Sequence, residues 1–425
     1  MKKASTLITE FEHGAYNQKL VAIYADDNLI PGQVNRYIKA LKKFIDLYQD
    51  QEVAIFSTPG RSEVCGNHTD HQNGQVLAAA INLDIIAVVA KDNDAVKVVS
   101  DDYDLNPILI DDLTKRLDEI ETSQGLIRGI LSRFNELNYN IGGFKGYMTS
   151  DVLQGSGLSS SAAFEVMIGT ILSGLYNEME VDPVIIAQIG QYSENIYFGK
   201  PCGLMDQCAC SVGSLINIDF KDKDKPRVVK IEKDFSKYHH SLCIVDVNAS
   251  HADLTNDYAA IPYEMKKVAE YFGKEVLAEV AQEEFYNNIP AIRVATGDRA
   301  VLRSIHLFNE NKRVIQAVAA LENDDFTAFK QIVAASGQSS FKYLQNIYSN
   351  NYVENQAVSL ALALSEMILE DNGVCRVHGG GFAGTIQAFV KDDFVSTYKA
   401  NIEKYFGPNT CHVLKIRSFG GIQVA

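Results

Sequence analysis

Residues suited to binding phosphate are concentrated between Gln154 and Ala163, in the sequence QGSGLSSSAA. Gly155 and Gly157 lack Cβ atoms, so a ligand can approach the backbone, and the serines after them are typical N-cap residues. The apolar pattern that follows predicts a helix from Ala162 to about Tyr176. Because the N–H groups and the dipole at a helix start favour an anion, the segment predicts a phosphate-binding loop; on composition alone it would be a flexible linker.

A second group of polar side chains lies in the segment GRSEVCGNHTDHQNG, which begins at Gly60. It stands between a short predicted strand, Val53 to Ser57, which Pro59 and Gly60 are expected to end, and an apolar run from Val76 to Val89. Loops held by a rigid scaffold often carry binding residues, so the segment is either a ligand site or a solvated turn. The spacing of its histidines and aspartates matches no zinc pattern.

Two carboxylates and a glycine-rich turn complete the set of candidate residues. Glu194 lies in a helical pattern from Pro183 to Tyr197, and Asp206 follows twelve positions later within GKPCGLMDQ. Taken alone, a glutamate in such a pattern is an exposed helix residue. Near the C-terminus, RVHGGGFAG begins at Arg376 and predicts a glycine-rich turn before a strand.

The elements that position these residues are both helices and strands. The sequence patterns predict an amphipathic helix from Gln33 to Tyr48, strands within Ala87 to Ile110, a helix from Leu113 to Leu137, strands from Phe144 to Thr149 and from Cys243 to Val247, and mostly helix over residues 290–370. The patterns by themselves therefore indicate a protein of mixed α and β structure.

Length, charge and cysteine content limit the possible functions. At 425 residues the chain is long enough for two domains. Its net charge of −15 disfavours nucleic acid and anionic membranes, which leaves small molecules as the expected ligands. The sequence has no run of about 18 apolar residues and no signal peptide. Its seven cysteines lack CxxC pairs, so we predict a cytoplasmic protein with reduced thiols and no membrane partner.

The motifs together resemble those of the galactokinase family, one of the GHMP small-molecule kinase families. QGSGLSSSA is similar to the second GHMP motif, PxGxGLSSSA, and GRSEVCGNHTDHQNGQVLA to the galactokinase signature GRxNLIGEHTDYNxGxVLP. The signature is altered by Asn67 in place of glutamate, His71 in place of tyrosine and Ala78 in place of proline. HGGGFAG, which begins at His378, resembles the third motif TGGGFGG, and HADLTNDY, which begins at His251, resembles HSLxxSEY.

This resemblance implies an α+β fold of two lobes with the active site between them. An N-terminal extension with an amphipathic helix would occupy residues 1–50, an S5-like α/β lobe with the phosphate loop residues 51–235, and a ferredoxin-like α+β lobe residues 236–425. The implied activity is ATP-dependent phosphorylation of the anomeric hydroxyl of galactose with Mg²⁺. The implied protein is a monomer that binds a sugar and ATP.

The resemblance also implies roles for individual residues. Asp206 would accept the proton of the sugar hydroxyl, and the neighbouring Arg61 would lower its pKa. Ser160 or Ser161 would bind Mg²⁺ together with Glu194. The residues expected to bind the sugar are Asn67, His68, Asp70, Gly203 and Tyr258. Those expected to bind ATP are Gly155, Ser156, Gly157, Leu158, Ser159, Ser160, Ser161 and Ala162.

Two alternatives to galactose phosphorylation remain open. Asn67 is uncharged, and the nearby Asp-His-Gln resembles plant galacturonokinases, which favours galacturonate as the substrate. Against galacturonate, no added arginine is evident to pair with its carboxylate, and Lys200 is the nearest candidate cation. The other alternative is a non-catalytic sensor of sugar and nucleotide, but the presence of GLSSSA with Glu194, Arg61 and Asp206 favours an enzyme.

Overall fold

The computed structural model describes residues 1–101, 104–152, 157–200, 202–222, 225–248, 254–382 and 384–425. Both strands and helices occur in this part of the chain, which confirms the α+β prediction. The strands are β1 (Lys2–Lys3), β2 (Glu52–Cys65), β3 (Gln75–Asp92), β4 (Ala95–Ser100), β5 (Ile108–Leu109), β6 (Gly143–Ser150), β7 (Leu215–Asp219), β8 (Arg227–Ile231), β9 (His240–Asp246), β10 (Gly373–Val377), β11 (Thr385–Lys391), β12 (Cys411–Leu414) and β13 (Ile422–Gln423). The α-helices are α1 (Ala4–Glu12), α2 (Asn17–Tyr24), α3 (Ile30–Tyr48), α4 (Ser123–Glu136), α5 (Ser160–Tyr176), α6 (Pro183–Tyr192), α7 (Met205–Val212), α8 (Thr255–Tyr271), α9 (Gln282–Thr296), α10 (Asp298–Glu322), α11 (Phe326–Ser339), α12 (Ala357–Leu369) and α13 (Val395–Phe406).

Two sheets organise the fold. The larger sheet has the strand order β1-β2-β3-β6-β4-β5, with β13 paired to β2, β7 paired to β3, and β8 paired to β7. Within it, β4 and β6 are parallel, and the other pairs are antiparallel. The smaller sheet has the order β10-β11-β9-β12 and is antiparallel. Each sheet, with the helices packed on it, forms the centre of one lobe of the predicted two-lobed architecture.

The larger sheet is buried on both faces. Successive side chains of a strand point to opposite faces, so Ala87 and Val89 of β3 pack with α4 and α5, whereas Ile86 and Val88 pack with α1, α2 and α3. A strand covered on both sides is a continuous apolar run instead of an alternating one. The apolar run from Val76 to Val89 is therefore a strand, and the N-terminal helices cover one face of the sheet that carries the functional residues.

The course of β2 corrects the prediction that a short strand ends at Pro59 and Gly60. The strand continues through both residues to Cys65, and its register with β3 shifts between Pro59 and Arg61. Such an irregularity accommodates proline, which has no N–H group for the sheet. A Cβ atom at Gly60 would lie 2.8 Å from the carbonyl oxygen of Leu158, so glycine lets the strand pass close to the predicted phosphate loop.

Several other predicted elements agree with the structure, and one predicted helix begins later than expected. The helix α3 confirms the predicted amphipathic helix, and Pro31 lies in its first turn. The strand β6 and the helix α5 confirm the elements on either side of the predicted phosphate loop. The predicted helix from Leu113 to Leu137 is wrong in its first part, because α4 begins only at Ser123. The hydroxyl of Thr122 accepts a hydrogen bond from Gly125 N at 3.2 Å and caps the helix there.

A search of the described residues for membrane spans finds no helix long and apolar enough to cross a bilayer. The cysteine side chains are free thiols. Five of them are buried, namely Cys65, Cys208, Cys210, Cys243 and Cys411.

A buried ion cluster joins the N-terminal helices to the larger sheet. The carboxylate of Asp84 on β3 accepts hydrogen bonds from Arg36 of α3 at 2.5 Å, from Arg417 at 3.1 Å and from Tyr24 of α2 at 2.8 Å. Burial raises the pKa of Asp84, but the two arginines and the hydrogen bond from Ser57 outweigh burial and leave the pKa below its usual value. The ionised carboxylate therefore anchors the helices of residues 1–50.

We expect Asp84→Asn to destabilise the fold by about 3–5 kcal/mol, because it leaves two largely buried arginines without their charged partner. Asp151→Asn is the matched control. The Asp151 side chain is 42% exposed and contacts the same Arg36 at 3.0 Å, so its removal should cost less than about 1 kcal/mol. The measurement is thermal unfolding of both variants, and equal midpoints would contradict the anchoring role of Asp84.

Candidate active site

A cavity of about 350 Å³ brings together segments that are far apart in the sequence. Residues predicted to belong to a site form much of its lining, namely Arg61, His68, Asp70, Ser161, Glu194, Gly203 and Asp206. The lining also includes Glu63, His71, Lys200, Cys202, Met205, Gln207, Gly379 and Gly380. The strand β2, the start of α5, the start of α7 and the glycine-rich turn after β10 thus meet at one place.

Arg61 and Asp206 form a two-pronged ion pair in this cavity. Nε of Arg61 donates to Oδ1 of Asp206 at 2.7 Å, and Nη2 donates to Oδ2 at 2.6 Å. Nη1 of Arg61 also donates to the carbonyl oxygen of Gly157, and the hydroxyl of Ser159 donates to Asp206. Because Arg61 lies on β2 and Asp206 in the first turn of α7, these contacts tie both elements to the residues just before α5.

The surroundings of Asp206 keep its carboxyl group ionised. Burial raises the pKa of Asp206, but the charge and hydrogen bonds of Arg61, with the hydrogen bond from Ser159, outweigh burial. The pKa therefore lies below the usual value for an aspartate. An ionised carboxylate only accepts hydrogen bonds, so at neutral pH Asp206 can receive a proton from a hydroxyl placed against it.

The start of α5 differs from the expectation that its serines cap the helix. Ser159 adopts a left-handed conformation, with φ of 57° and ψ of 57°, and no described side chain caps the helix. The hydroxyl of Ser159 contacts Asp206 instead. The first N–H groups of α5 are thereby left to a ligand, which preserves the anion-binding character of the helix start.

The predicted ATP-binding residues divide into three groups. Gly155 and Ser156 lie outside the described residues. The side chains of Leu158 and Ala162 are buried in the core beneath the loop, where they support it. The remaining members flank or line this cavity or a second, larger cavity on the other side of the helix start, namely Gly157, Ser159, Ser160 and Ser161.

A larger cavity of about 730 Å³ adjoins the first, and Ser161 lines both. Its walls come from β3, β4, β6, α4 and α5 and are mostly apolar, with Val98, Leu126, Met148 and Phe164 among them. Hydroxyl and carboxylate groups are distributed among these apolar residues, on Ser100, Asp101, Ser123, Asp151 and Ser160. A mostly apolar pocket of this size with a few polar groups is suited to a small organic ligand.

A π-helical turn positions Glu194. The helix α6 ends at Tyr192, and the chain continues as a π-turn, Ser193–Phe198, instead of the predicted helix to Tyr197. Turns of this kind are frequent at functional sites. The side chain of Glu194 is only 6% exposed and lies 3.4 Å from Nζ of Lys200, so Glu194 is not an ordinary surface residue.

Gln207 connects Glu194 to a second buried glutamate, Glu165 of α5. Nε2 of Gln207 donates to Oε2 of both glutamates at 3.0 Å. Burial and the charge of Glu194 raise the pKa of Glu165 well above its usual value. Among the described residues, no group of three or more His, Cys, Asp or Glu side chains is arranged to hold a metal ion. A cation beside Glu194 would therefore also need oxygen ligands from serine or from a bound molecule.

Asn67 differs from the expectation that it contacts a sugar. Its side chain is fully buried, and the cavity lining does not include it. Nδ2 donates to Glu63 at 3.1 Å and to the carbonyl oxygen of Gly379 at 2.7 Å. Oδ1 accepts from Ser340 at 3.2 Å and from Asn346 at 2.8 Å. Since an amide offers two donors and two acceptor positions, no position remains for a ligand.

The other predicted sugar-binding residues lie in or beside the cavity. Nε2 of His68 is 3.1 Å from the carbonyl oxygen of Gly380, and burial with the neighbouring His71 lowers the pKa of His68 to about 4. Oδ2 of Asp70 would lie 2.5 Å from a Cβ atom at Gly203, so glycine at this position lets the Asp70 carboxylate lie close to the backbone. Tyr258 is not part of the described lining; its hydroxyl donates to the carbonyl oxygen of Gly381 at 2.8 Å and supports the glycine-rich turn.

Glu63 is a cavity residue that the sequence predictions did not assign to the site. It lies two positions after Arg61 on β2, so its side chain is on the same face of the strand. Burial outweighs the charges of Arg376 and Arg61 and raises the pKa of Glu63 to about 7. The alternation along β2 was the sequence signal for this residue, but the prediction that β2 ends at Gly60 concealed it.

A buried network on α10 and α11 holds the segment that carries Asn67. Oε1 of Glu310 accepts hydrogen bonds from Gly66 N at 3.1 Å, from Sγ of Cys65 at 3.3 Å and from the hydroxyl of Ser336. Nε2 of His306 lies 2.9 Å from the carbonyl oxygen of Asn67. These contacts fix the cavity wall from the second lobe, and no local sequence pattern predicts them, because the partners on α10 and in this segment are 239 to 245 positions apart.

Two protein-family models match parts of the chain. The "Galactokinase galactose-binding signature" matches residues 42–91, and "GHMP kinases N terminal domain" matches residues 125–214. The first range contains Arg61, Glu63 and Asp70, and the second contains Ser161, Glu194 and Asp206. The matched ranges therefore include most of the side chains that line the smaller cavity.

Similar proteins extend over most of the chain. A galactokinase of Actinobacillus pleuropneumoniae serotype 5b (strain L20) is 30% identical over 378 residues, which cover 87% of this chain and 94% of that protein. A galactokinase of Lactobacillus helveticus is 29% identical over 376 residues, with 86% and 93% covered. The crystal structure of Lactococcus lactis galactokinase complexed with galactose has the same fold, with a TM-score of 0.75 at 23% identity and 90% and 98% covered. The chain therefore belongs to the galactokinase family of the GHMP kinases.

Proposed function

We propose that this protein transfers the γ-phosphoryl group of ATP to the C1 hydroxyl of galactose. The observation that carries the proposal is the Arg61–Asp206 ion pair, which lies in a cavity between the start of α5 and the segment that matches the galactose-binding signature. A sugar in this cavity and a phosphate at the helix start would meet at the ion pair. Galactokinases with similar sequences support the choice of reaction and sugar.

In the proposed reaction one bond to phosphorus forms and another bond to phosphorus breaks. The C1 oxygen bonds to the γ-phosphorus, the bond from that phosphorus to ADP breaks, and the hydroxyl proton passes to Asp206. Phosphoryl transfer requires chiefly positioning and neutralisation of charge on the moving group. The ionised Asp206 orients the hydroxyl and accepts its proton, while Arg61 holds Asp206 in place and contributes positive charge beside the transferred group.

The nucleotide would extend from one cavity to the other. The uncapped start of α5 suits the phosphates, because its N–H groups and dipole favour negative charge. The larger cavity, which shares Ser161 with the smaller one, suits the base and ribose by its size and its apolar walls. The overall charge of −15 makes such local sites necessary for an anionic ligand.

The residues beside the phosphate site fit Mg²⁺. Ser161 and Glu194 line the same cavity and offer a hydroxyl and a carboxylate oxygen. Mg²⁺ is usually held by one or two carboxylates together with waters and substrate phosphates, so a small set of protein ligands suffices. When bound, Mg²⁺ neutralises charge on the transferring phosphoryl group.

The cavity favours a neutral sugar over galacturonate. Four acidic side chains line it, namely Glu63, Asp70, Glu194 and Asp206, against two basic ones, Arg61 and Lys200. Since Arg61 pairs with Asp206 and Lys200 lies against Glu194, no lysine or arginine among the described lining residues remains to pair with a uronate carboxylate, and Asp70 and the ionised form of Glu63 would repel it. The intact ion pair at Asp206 also favours an enzyme over a non-catalytic sensor.

The experiment is a coupled assay of ADP release with Mg²⁺ and ATP over a panel of galactose, galacturonate, glucose and mannose. We expect kcat/KM for galactose to exceed that for galacturonate by at least about 100-fold. A tenfold preference for galacturonate would contradict the choice of sugar. Sugar and ATP binding by calorimetry without any ADP release would contradict the assignment as an enzyme.

We expect Glu194→Gln to raise the Mg²⁺ concentration required for half-maximal rate by at least about tenfold, since an anionic ligand of a hard cation is lost. The measurement is a magnesium titration at saturating galactose and ATP. Glu136→Gln, at a surface carboxylate paired with Arg133, is the control and should leave the titration unchanged. An unchanged titration in Glu194→Gln as well would remove Glu194 from the metal site.

The same titration distinguishes the two candidate serines. Ser161 lines the cavity that contains Glu194, whereas Ser160 lines only the larger of the two cavities. We therefore expect Ser161→Ala to raise the required Mg²⁺ concentration and Ser160→Ala to leave it close to that of the unmodified protein. The opposite result would assign the metal to Ser160.

A further inference from the structure

The sugar-binding segment carries its carboxylate four residues earlier than the galactokinase signature does. The signature GRxNLIGEHTDYN has asparagine before LIG and glutamate after it, whereas this chain has Glu63 and Asn67 at those two places. The exchanged residues still contact each other, because Nδ2 of Asn67 donates to Oε1 of Glu63 at 3.1 Å and lies 3.3 Å from Oε2. The Asn–Glu pair is therefore kept, but its charge has moved onto β2.

Of this pair, only Glu63 reaches the cavity. Asn67 is fully buried, and its four hydrogen-bonding positions are occupied by protein groups. Glu63 lines the cavity beside Arg61 and Asp70. A ligand in the cavity thus meets the carboxyl group of residue 63 and not the amide of residue 67.

Glu63 also retains capacity to accept a hydrogen bond. Besides Asn67, the described residues give its carboxyl group one further hydrogen-bond donor, Nη2 of Arg376, at the long distance of 3.5 Å. A carboxylate offers about four acceptor positions, and the contacts from Asn67 and Arg376 leave room for another donor. A sugar hydroxyl would fit this position.

The position of Glu63 on the strand determines which part of a sugar it faces. Arg61 and Glu63 alternate with Ser62, whose hydroxyl donates to Gln387 at 3.1 Å on the opposite face of β2. Two residues along a strand are separated by about 6–7 Å, which is comparable with the width of a hexose ring. Because Arg61 holds Asp206 at the reacting C1 hydroxyl, Glu63 faces the side of the ring away from C1.

We propose that Glu63 is the specificity-determining residue of the sugar site. It accepts a hydrogen bond from the C3, C4 or C6 hydroxyl of galactose, and in its ionised form it disfavours uronic acids, because their C6 carboxylate would lie in the same cavity. This inference rests on the proposed function. It differs from the expectation that Asn67 binds the sugar, because the side chain that contacts the sugar hydroxyl is that of residue 63.

The test measures kcat/KM by ADP release for galactose, galacturonate and the four sugars that lack the hydroxyl at C2, C3, C4 or C6. The unmodified protein, Glu63→Gln and Glu264→Gln are compared. Glu264 is a largely buried glutamate of α8 that pairs with Arg299 and Arg303 and does not line the cavity, so Glu264→Gln controls for the loss of a buried charge. Thermal unfolding and ATP binding report whether each variant folds.

For the unmodified protein we expect that one of the sugars lacking the C3, C4 or C6 hydroxyl has a kcat/KM at least about 30-fold lower than that of galactose. In Glu63→Gln the kcat/KM values for that sugar and for galactose should differ by less than about threefold. The ratio of kcat/KM for galactose to kcat/KM for galacturonate should fall by at least about tenfold. Glu264→Gln should lower the unfolding midpoint but keep the substrate ratios of the unmodified protein.

The outcomes separate the inference from the proposed function. Absence of galactose phosphorylation by the unmodified protein would overturn the proposed function. Activity on galactose with all substrate ratios unchanged in Glu63→Gln would overturn the inference alone. If Glu63→Gln does not fold, the kcat/KM values of the unmodified protein test the inference. Values for the C3, C4 and C6 deoxy sugars within about threefold of the value for galactose would overturn it, and a large decrease for one of these sugars would support it.

Discussion

Replacing Asp206 with asparagine is expected to reduce kcat by about 10²–10⁴-fold while leaving ATP binding nearly unchanged. Asparagine preserves the size of the side chain and still offers an oxygen to Arg61, so the fold of the site is retained. What is lost is the ionised carboxylate that the contacts from Arg61 and Ser159 maintain in the cavity. Because this group acts on the attacking hydroxyl, its loss affects the transition state more than ground-state binding of the nucleotide.

The measurement combines steady-state ADP release with calorimetric titration of ATP. Asp392→Asn is the control, because Asp392 is a partly exposed carboxylate that pairs with Lys415 beside the smaller sheet. This substitution should leave the rate of ADP release and the affinity for ATP unchanged. A rate for Asp206→Asn within a few-fold of the unmodified protein would contradict the role of Asp206. Loss of ATP binding would instead indicate that the substitution had damaged the phosphate site.

Replacing Arg61 with glutamine is expected to reduce kcat by about 10²–10³-fold and to change its pH dependence. The side chain of Arg61 donates three hydrogen bonds to described residues, two to Asp206 and one to the carbonyl oxygen of Gly157, and its charge helps to keep the pKa of Asp206 low. Without that charge, burial raises the pKa of Asp206, so the group is protonated over a wider acidic range. The acid limb of the kcat profile should therefore move to higher pH.

The measurement is the pH dependence of kcat for Arg61→Gln and Arg61→Lys. Lysine keeps the positive charge but not the fork that contacts both carboxylate oxygens, so Arg61→Lys should shift the acid limb less than Arg61→Gln does. An acid limb at the same pH in both variants and the unmodified protein would show that Arg61 does not control the ionisation of Asp206.

Local sequence patterns were sufficient to predict the elements that carry the site. The apolar pattern after QGSGLSSSAA predicted α5, which is buried on nearly all sides, and the periodicity near Gln33 to Tyr48 predicted α3, which buries one apolar face. The order of the motifs also predicted the family and the two-lobed α+β fold. Each of these inferences depends on residues that are neighbours in the sequence.

The contacts inside the site depend on residues that are far apart in the sequence and were harder to predict. The hydroxyl of Ser159 was expected to cap α5, but a carboxylate 47 positions away accepts its hydrogen bond. Asn67 was expected to contact the sugar, but Ser340 and Asn346 from the second lobe occupy its amide oxygen. Pro59 and Gly60 were expected to end β2, and this concealed that Arg61 and Glu63 share one face of a continuous strand.

Identification of the product is the direct test of phosphoryl transfer to the C1 hydroxyl of galactose. The protein is incubated with galactose, ATP and Mg²⁺, and the product is examined by phosphorus NMR alongside a parallel incubation with Asp206→Asn. We expect the unmodified protein to form a single sugar phosphate, with the phosphorus coupled to the anomeric proton, and the variant to form it at least about 10²-fold more slowly. Phosphate on any other hydroxyl of the sugar, or equal formation of product by the variant, would contradict it.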